Sequence, residues 1–326
     1  MSRRLVQRPT PRHATVFSSD EQERPAAVGR RTPLRALIGA MRPRQWMKNL
    51  LVFAAPATAG LLGHAGVLAR TSLAAALFVA ASAGTYLVND VVDAAQDRLH
   101  PIKRTRPVAS GALDPKLALG VAFSLFAVAI AGSGAVGGAV LLSVVAAYVV
   151  VSVGYSLYEK RVAVIEMACV SSGFVLRAVA GGAAVHIPIS NWFVLVTSAV
   201  ALFVVAGKRS TELALLGTRA PSHRQVLEGY SDAFLRTVRN IAATVAIMSY
   251  ALWAFERVNK LGLGHKDADE ILFELSILPF VLGILVLERA IEAGEGGAPE
   301  ELVLHSRVLQ VLGLSCIAAV MIGVYT

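Results

Sequence analysis

Three carboxylates stand in the string Asn89-Asp90-Val91-Val92-Asp93-Ala94-Ala95-Gln96-Asp97, directly after a long apolar run. On a helix of about 3.6 residues per turn, Asp90, Asp93 and Asp97 fall at about 0°, 300° and 340°, one narrow stripe. Carboxylates on one face repel one another unless a cation sits between them. At the mouth of a membrane span an unpaired charge is also costly. A divalent metal holding a phosphorylated substrate answers both constraints. The alternative is a solvated helix end, where acids are common. Bases follow at once in His100-Pro101-Ile102-Lys103-Arg104-Thr105-Arg106-Pro107. Acids for a metal and bases for phosphate oxygens together suit a diphosphate. Taken singly, each base also fits the positive bias of membrane loops.

These groups need elements to hold them, and the composition says which. Of 326 residues, 55% are hydrophobic and only 16% charged, and the mean hydropathy is +0.61. The apolar residues come in long blocks, which excludes an ordinary soluble domain. Charge and turn signals divide the blocks at 47–65, 71–90, 116–134, 138–157, 163–183, 190–207, 237–256, 271–288 and 307–325. Each is long enough to cross ~30 Å of hydrocarbon. The expectation is therefore an all-α membrane protein with nine transmembrane helices. Small residues within the spans, such as Gly132-Ser133-Gly134 and Gly181-Gly182, allow close helix approach and permit a homo-oligomer. Cys169 and Cys316 lie inside apolar runs without metal or disulfide spacing, and the seven histidines show no metal pattern.

The net charge of +9 arises mostly in the first fifty residues, which carry eleven Arg and Lys. Residues 1–41 read as a disordered basic cytoplasmic tail, and 42–326 as the nine-helix catalytic domain. A basic tail can bind nucleic acid. Beside a membrane span it serves anionic lipid and orientation instead, so no nucleic-acid partner is expected. The tail, the 91–115 loop, Lys160, Arg161, the 208–239 region, Arg289 and Arg307 share one side of the membrane, whereas Arg70, Arg257, Lys260 and Lys266 take the other. That asymmetry places the N-terminus and the acidic stripe in the cytoplasm and the C-terminus outside the plasma (inner) membrane.

The Asn-Asp-x-x-Asp-x-x-x-Asp string, followed by Lys-Arg-x-Arg-Pro at the end of the second span, resembles the first signature of the UbiA superfamily of intramembrane prenyltransferases. The resemblance covers residues about 42 to 325. It implies nine helices around a central cavity, cytoplasmic cap loops, and Mg²⁺ on Asp90 and Asp93 with Asp97 nearby. Tyr155-Ser156-x-x-x-Lys160 and the trio Glu166, Gly173 and Arg177 are further family-like elements. Glu166 and Arg177 lie about 20° apart around a helix and share a face. A typical member carries a second Asp-rich motif after its sixth helix. Here that position reads Gly207-Lys208-Arg209-Ser210-Thr211-Glu212, one acid behind two bases.

One acidic and one basic arm suit a donor with a diphosphate at one end and a separate phosphate at the other, as in 5-phosphoribosyl 1-diphosphate. The strings Arg42-Pro43-Arg44-Gln45-Trp46-x-Lys48-Asn49, Gly173-Phe174-Val175-Leu176-Arg177 and Arg224-x-x-Leu227-x-x-Tyr230 are similar to the phosphoribosyltransferase branch of the superfamily, which serves arabinan cell-wall synthesis. That resemblance implies transfer of phosphoribose to a polyprenyl phosphate lipid. It implies catalytic roles for Asp90, Asp93, Asp97, Lys48, Arg104 and Lys160. It implies substrate contacts from Asn89, Lys103, Arg42, Tyr155, Glu166, Arg177, Lys208, Arg209 and Glu212. Simpler roles exist for several of these: Trp46 as an interfacial belt residue, Lys48 snorkelling, Tyr155 in packing. Arg177 differs, because a charge within an apolar helix needs a partner. Other readings of the chain are a prenyltransferase acting on a small or aromatic acceptor, and a transporter or lipid-binding protein without chemistry. Transporters place ionisable groups near mid-membrane, whereas here they cluster at helix ends.

Overall fold

The computed structural model describes residues 32–158, 162–216, 225–260, 268–297 and 299–325, and the regular structure among them is helical throughout. The helices are α1 (Pro33–Ala40), α2 (Ala54–Thr58), α3 (Ala65–Val92), α4 (Ala94–Leu99), α5 (Pro115–Leu157), α6 (Ile165–Val185), α7 (Asn191–Leu216), α8 (Asp232–Lys260), α9 (Ala268–Leu275), α10 (Ile277–Glu292), α11 (Pro299–His305) and α12 (Arg307–Tyr325). Among the described residues seven helical stretches are long and apolar enough to cross a membrane, which makes this a multi-pass membrane protein.

One of the seven, α5, has 43 residues and would be roughly 65 Å long if straight, about twice the hydrocarbon thickness. It breaks at Gly137 (φ −129°) and Gly138 (φ +64°, ψ −157°), the latter a conformation only glycine adopts readily. The break falls between the expected spans 116–134 and 138–157. Asp114 starts the helix by accepting the backbone N–H groups of Lys116 (2.7 Å) and Leu117 (3.1 Å), with Pro115 in the first turn. The expected span 271–288 is interrupted at Ser276, between α9 and α10. Pro279 has no N–H to offer the Leu275 carbonyl. The Ser276 hydroxyl instead donates to Phe273 O (2.6 Å) and meets the Tyr250 hydroxyl (2.9 Å).

The first expected span differs from expectation. It is not one long α-helix but a 3₁₀ stretch, Pro43–Phe53, continued by α2. The tighter winding rises about 2.0 Å per residue, so these sixteen positions still reach roughly 30 Å. The tail boundary also differs. Residues 33–40, assigned to a disordered tail on composition, form α1, whose Ala36 and Ala40 are fully buried with Leu87, Val88, Leu113 and Ala118. Residues 1–31 lie outside the described region.

The core joins α3, both arms of α5 and α6 through Phe78, Ala129, Leu141, Val145, Tyr148 and Ala180. A second cluster, Phe193, Tyr250, Trp253, Phe273 and Val320, joins α7, α8, α9 and α12. The C-terminal end of α3, the N-terminal end of α6, the C-terminal end of α7 and the N-terminal end of α8 come to the same end of the bundle. The polar side chains gather there.

Candidate functional site

The first group of polar residues sits where α3 gives way to α4. The backbone keeps helical bonds across the junction, from Asp93 N to Asn89 O (2.9 Å) and from Asp97 N to Asp93 O (2.8 Å). The acids therefore stay in register. Asp90 and Asp97 are buried and Asp93 is half-buried. Arg42 Nη2 donates to Asp90 Oδ1 at 2.5 Å, with its guanidinium over the Tyr86 ring at 4.9 Å. Arg106 Nη1 donates to Asp97 Oδ2 at 2.7 Å and lies 3.6 Å from Asp90 Oδ1. Both carboxylates thus converge on one cation. Asn89 and Lys103 are half-buried beside the group, and Arg104 is exposed. Of Arg104 and Arg106, the latter is the one that turns inward.

No group of three or more His, Cys, Asp or Glu side chains forms a metal cage among the described residues. The donors still fit Mg²⁺. They are hard carboxylate oxygens converging on one point, and Mg²⁺ needs only one or two such ligands when water and substrate phosphates supply the rest.

The second group joins α6, α7 and the segment before α8. Glu166 is fully buried. Arg209 grips it with both prongs, Nε to Oε1 at 2.6 Å and Nη2 to Oε2 at 2.8 Å, and donates from Nη1 to Glu212 Oε2 at 2.7 Å. The Tyr230 hydroxyl donates to Glu166 Oε1 (3.2 Å) and accepts the Val164 N–H (2.9 Å). Burial pushes the Tyr230 phenol up to about 12, and the neighbouring Glu166 carboxylate adds to the effect. It therefore stays protonated and a donor at neutral pH. Tyr155 lies within electrostatic range of Arg209, and Lys208 is half-buried beside it. Arg209, expected as a phosphate ligand, has its guanidinium committed to two glutamates. Lys160 lies outside the described residues, as does Arg224.

The third group lies deeper. Arg177 is buried and donates to Asn49 Oδ1 (2.8 Å), Gly173 O (2.7 Å) and the Tyr148 hydroxyl (2.9 Å). It shares a helix face with Glu166, but the two bind different partners. Eleven residues of α-helix separate them by roughly 16 Å. Next to Asn49, the half-buried Lys48 holds its Nζ 5.9 Å from the Phe174 ring centre.

A fourth group was not expected from the sequence. Arg239 of α8 is buried and binds Glu288 (2.8–3.1 Å), Glu292 (3.0 Å) and the Ser210 hydroxyl (2.6 Å). It fastens α7, α8 and α10 behind Arg209. The one sequence signal is a basic residue inside an expected span, the third residue of 237–256, as Arg177 lies inside 163–183. Tyr148 had none, lying in an uninterrupted apolar run. A separate small cleft, lined by Thr58, Ile187, Ser190, Phe193 and Trp253 among others, lies at the opposite end of the bundle, away from all four groups.

Residues 50–212 match the UbiA prenyltransferase family. Decaprenyl-phosphate phosphoribosyltransferase of Mycolicibacterium smegmatis is 40% identical over 310 residues, 94% of this chain and 97% of that protein. The protein of that name from Corynebacterium glutamicum is 38% identical over 316 residues, 96% of this chain and 92% of the relative. In three dimensions, the chain is similar to a UbiA homolog from Archaeoglobus fulgidus solved with DMAPP and Mg²⁺. The TM-score is 0.66 at 14% identity, covering 89% of this chain and 99% of that one. At that identity the likeness speaks for the fold alone.

Proposed function

Because the chain belongs to the UbiA prenyltransferase family, we propose that it transfers 5-phosphoribose from 5-phospho-α-D-ribose 1-diphosphate to a polyprenyl phosphate. Decaprenyl phosphate is the acceptor suggested by its relatives' name. Pyrophosphate is released, and the lipid product feeds arabinan cell-wall synthesis. The observation that carries this reading is the fate of the second acidic arm. Its acid Glu212, together with Glu166, is spanned by Arg209. That arm offers one acid behind two bases, Lys208 and Arg209, which suits a phosphate better than a second metal for a prenyl diphosphate. The relatives' shared name, over nearly the whole chain, points the same way.

In this reading Asp90 and Asp93, with Asp97 nearby, would hold Mg²⁺, which would offset the charge of the departing diphosphate. Arg42 and Arg106 stand beside the carboxylates, placed to take diphosphate oxygens, with Lys103 and Arg104 at the rim. Asn89 flanks them. Lys208 takes the donor's 5-phosphate, while Arg209, Glu166, Glu212 and Tyr155 form the wall behind it. Lys48 and Lys160 draw in the lipid phosphate. A phosphate monoester is ionised at neutral pH and needs no strong base. Its oxygen attacks C1 from the face opposite the diphosphate. The C1–O bond breaks with its electron pair leaving on pyrophosphate, and the α-donor gives a β-linked product. The main work of the protein is to bring two anions together, which calls for fixed cations.

The same reading counts nine passes: the seven long helices, α5 counted twice at its glycine break, and the Pro43–α2 segment. It puts the N-terminus and the polar end in the cytoplasm and the C-terminus outside, from the distribution of Arg and Lys. The deciding experiment incubates purified protein and Mg²⁺ with polyprenyl phosphate and labelled phosphoribosyl diphosphate, and in parallel with a labelled prenyl diphosphate and aromatic acceptors. Label entering lipid only from the sugar donor is expected. Transfer from the prenyl donor would refute the reading.

A further inference from the structure

The Pro43–Phe53 stretch is eleven residues of 3₁₀ helix, far beyond the usual three or four. Such winding has poorer hydrogen-bond geometry, so something outside the stretch has to hold it. One face of α6 does so. Gly181 stands where any Cβ would fall 1.8 Å from the Val52 carbonyl oxygen, so only glycine lets the stretch lie against the helix. One turn earlier, Arg177 bonds Asn49. One turn before that, Gly173 supplies the carbonyl that accepts Arg177 Nη1. Asn49 is buried and is also tied to α3, through Nδ2 and the Ser82 hydroxyl at 3.4 Å. Arg177 reaches α5 as well, through Tyr148.

The stretch begins at Arg42, whose backbone is left-handed (φ +53°) and whose guanidinium holds Asp90. Lys48 immediately precedes Asn49. Eleven residues of α-helix would reach about 16 Å, whereas 3₁₀ winding gives about 22 Å. The extended form lets one segment run from the acidic group to the Gly181 contact. Arg177 spends its three hydrogen bonds on neutral oxygens, and it sits deep beside the segment rather than among the carboxylates.

We propose that Arg177 is a positioning residue. It touches neither substrate, and by gripping Asn49 and Tyr148 it sets the register of the Pro43–Phe53 strap, and so the place of Lys48. This rests on the phosphoribosyl-transfer reading only for its assay. Arg177→Lys keeps the charge but cannot make the three-way grip. It should lower kcat/KM for polyprenyl phosphate by ~10- to 100-fold, the usual effect of misplacing a group by about an ångström. In a Lys48→Ala background the same change should cost less than ~3-fold, because the group it positions is gone. The same factor in both backgrounds, or no effect in the wild-type background, overturns the proposal.

Hydrogen exchange supplies a readout independent of substrate. Amides of residues 44–53 should exchange at least ~10-fold faster in Arg177→Lys, while α8 and α12 stay unchanged. Unchanged exchange in the strap overturns the proposal. Should Arg177→Lys fail to fold, Asn49→Ser removes the same link and goes through the same two measurements. Wild-type protein that transfers no phosphoribose refutes the functional reading alone, and hydrogen exchange then decides the strap by itself.

Discussion

Arg209 and Lys208 are neighbours in sequence, yet the structure predicts that their removal acts on different observables. Arg209→Met deletes two charge-assisted bonds, of 2.6 and 2.8 Å, to a fully buried Glu166 carboxylate, and a third of 2.7 Å to Glu212. Breaking one side of a buried ion pair costs about 3–5 kcal/mol, chiefly because the remaining charge is stranded. In a chain of this size that lowers the apparent melting temperature on the order of 10 °C. Arg209→Met/Glu166→Leu removes both charges and should recover most of the loss, since an apolar pair of similar volume is often as stable as the ion pair it replaces. The assay is thermal unfolding in detergent, followed by fluorescence-detected size exclusion. Donor kinetics are measured on the surviving enzyme, where the KM for phosphoribosyl diphosphate should stay within ~3-fold of wild type. An Arg209→Met protein that melts like wild type but has a donor KM raised tenfold would refute this reasoning. It would mean that Arg209 leaves Glu166 to bind the substrate.

Lys208→Ala should do the opposite, leaving the melting temperature alone and raising the donor KM roughly tenfold, the value of one charge-assisted bond of ~1.5–3 kcal/mol; a rise in the lipid KM alone would place the two phosphates the other way round. Asp90→Asn should abolish turnover at ordinary Mg²⁺ while leaving the protein monodisperse, because Mg²⁺ uses few protein ligands and each is felt; near-normal rates would remove Asp90 from the metal. Gly181→Ala should destabilise the protein and loosen the strap, since its Cβ would lie 1.8 Å from the Val52 carbonyl oxygen; wild-type melting and hydrogen exchange would show that the strap does not rest there. Tyr230→Phe should cost about 1 kcal/mol, the value of one hydrogen bond. The tyrosine's own pH dependence has a fixed sign: its phenol is raised from 10.0 to about 12 on folding, so the stability it contributes is intact below pH 10 and lost as pH climbs toward 12; a Tyr230-dependent loss of stability near pH 8 would contradict the assignment.

The amino-acid sequence alone determined the properties that are local. Hydropathy over some twenty residues marked the long helices, and the expected span 307–325 coincides with α12. Period and spacing put three acids on one stripe at the end of α3, where the backbone indeed carries them in helical register. Gly137-Gly138 stands between two apolar runs because a bend there needs a residue tolerant of positive φ. What only the tertiary structure decided is which charge meets which. Arg209 finds Glu166 forty-three positions away, and Arg177 finds Asn49 at a separation of 128. Arg106 rather than Arg104 turns toward the acids, because of how the loop after α4 folds back over them. The strap was equally hidden: its residues are apolar enough to pass for an ordinary span, and its 3₁₀ winding rests on contacts with α6. A side chain's type and neighbours are written along the chain, but in a low-dielectric bundle its role follows from the partner that satisfies its charge, and that partner is chosen by helix packing.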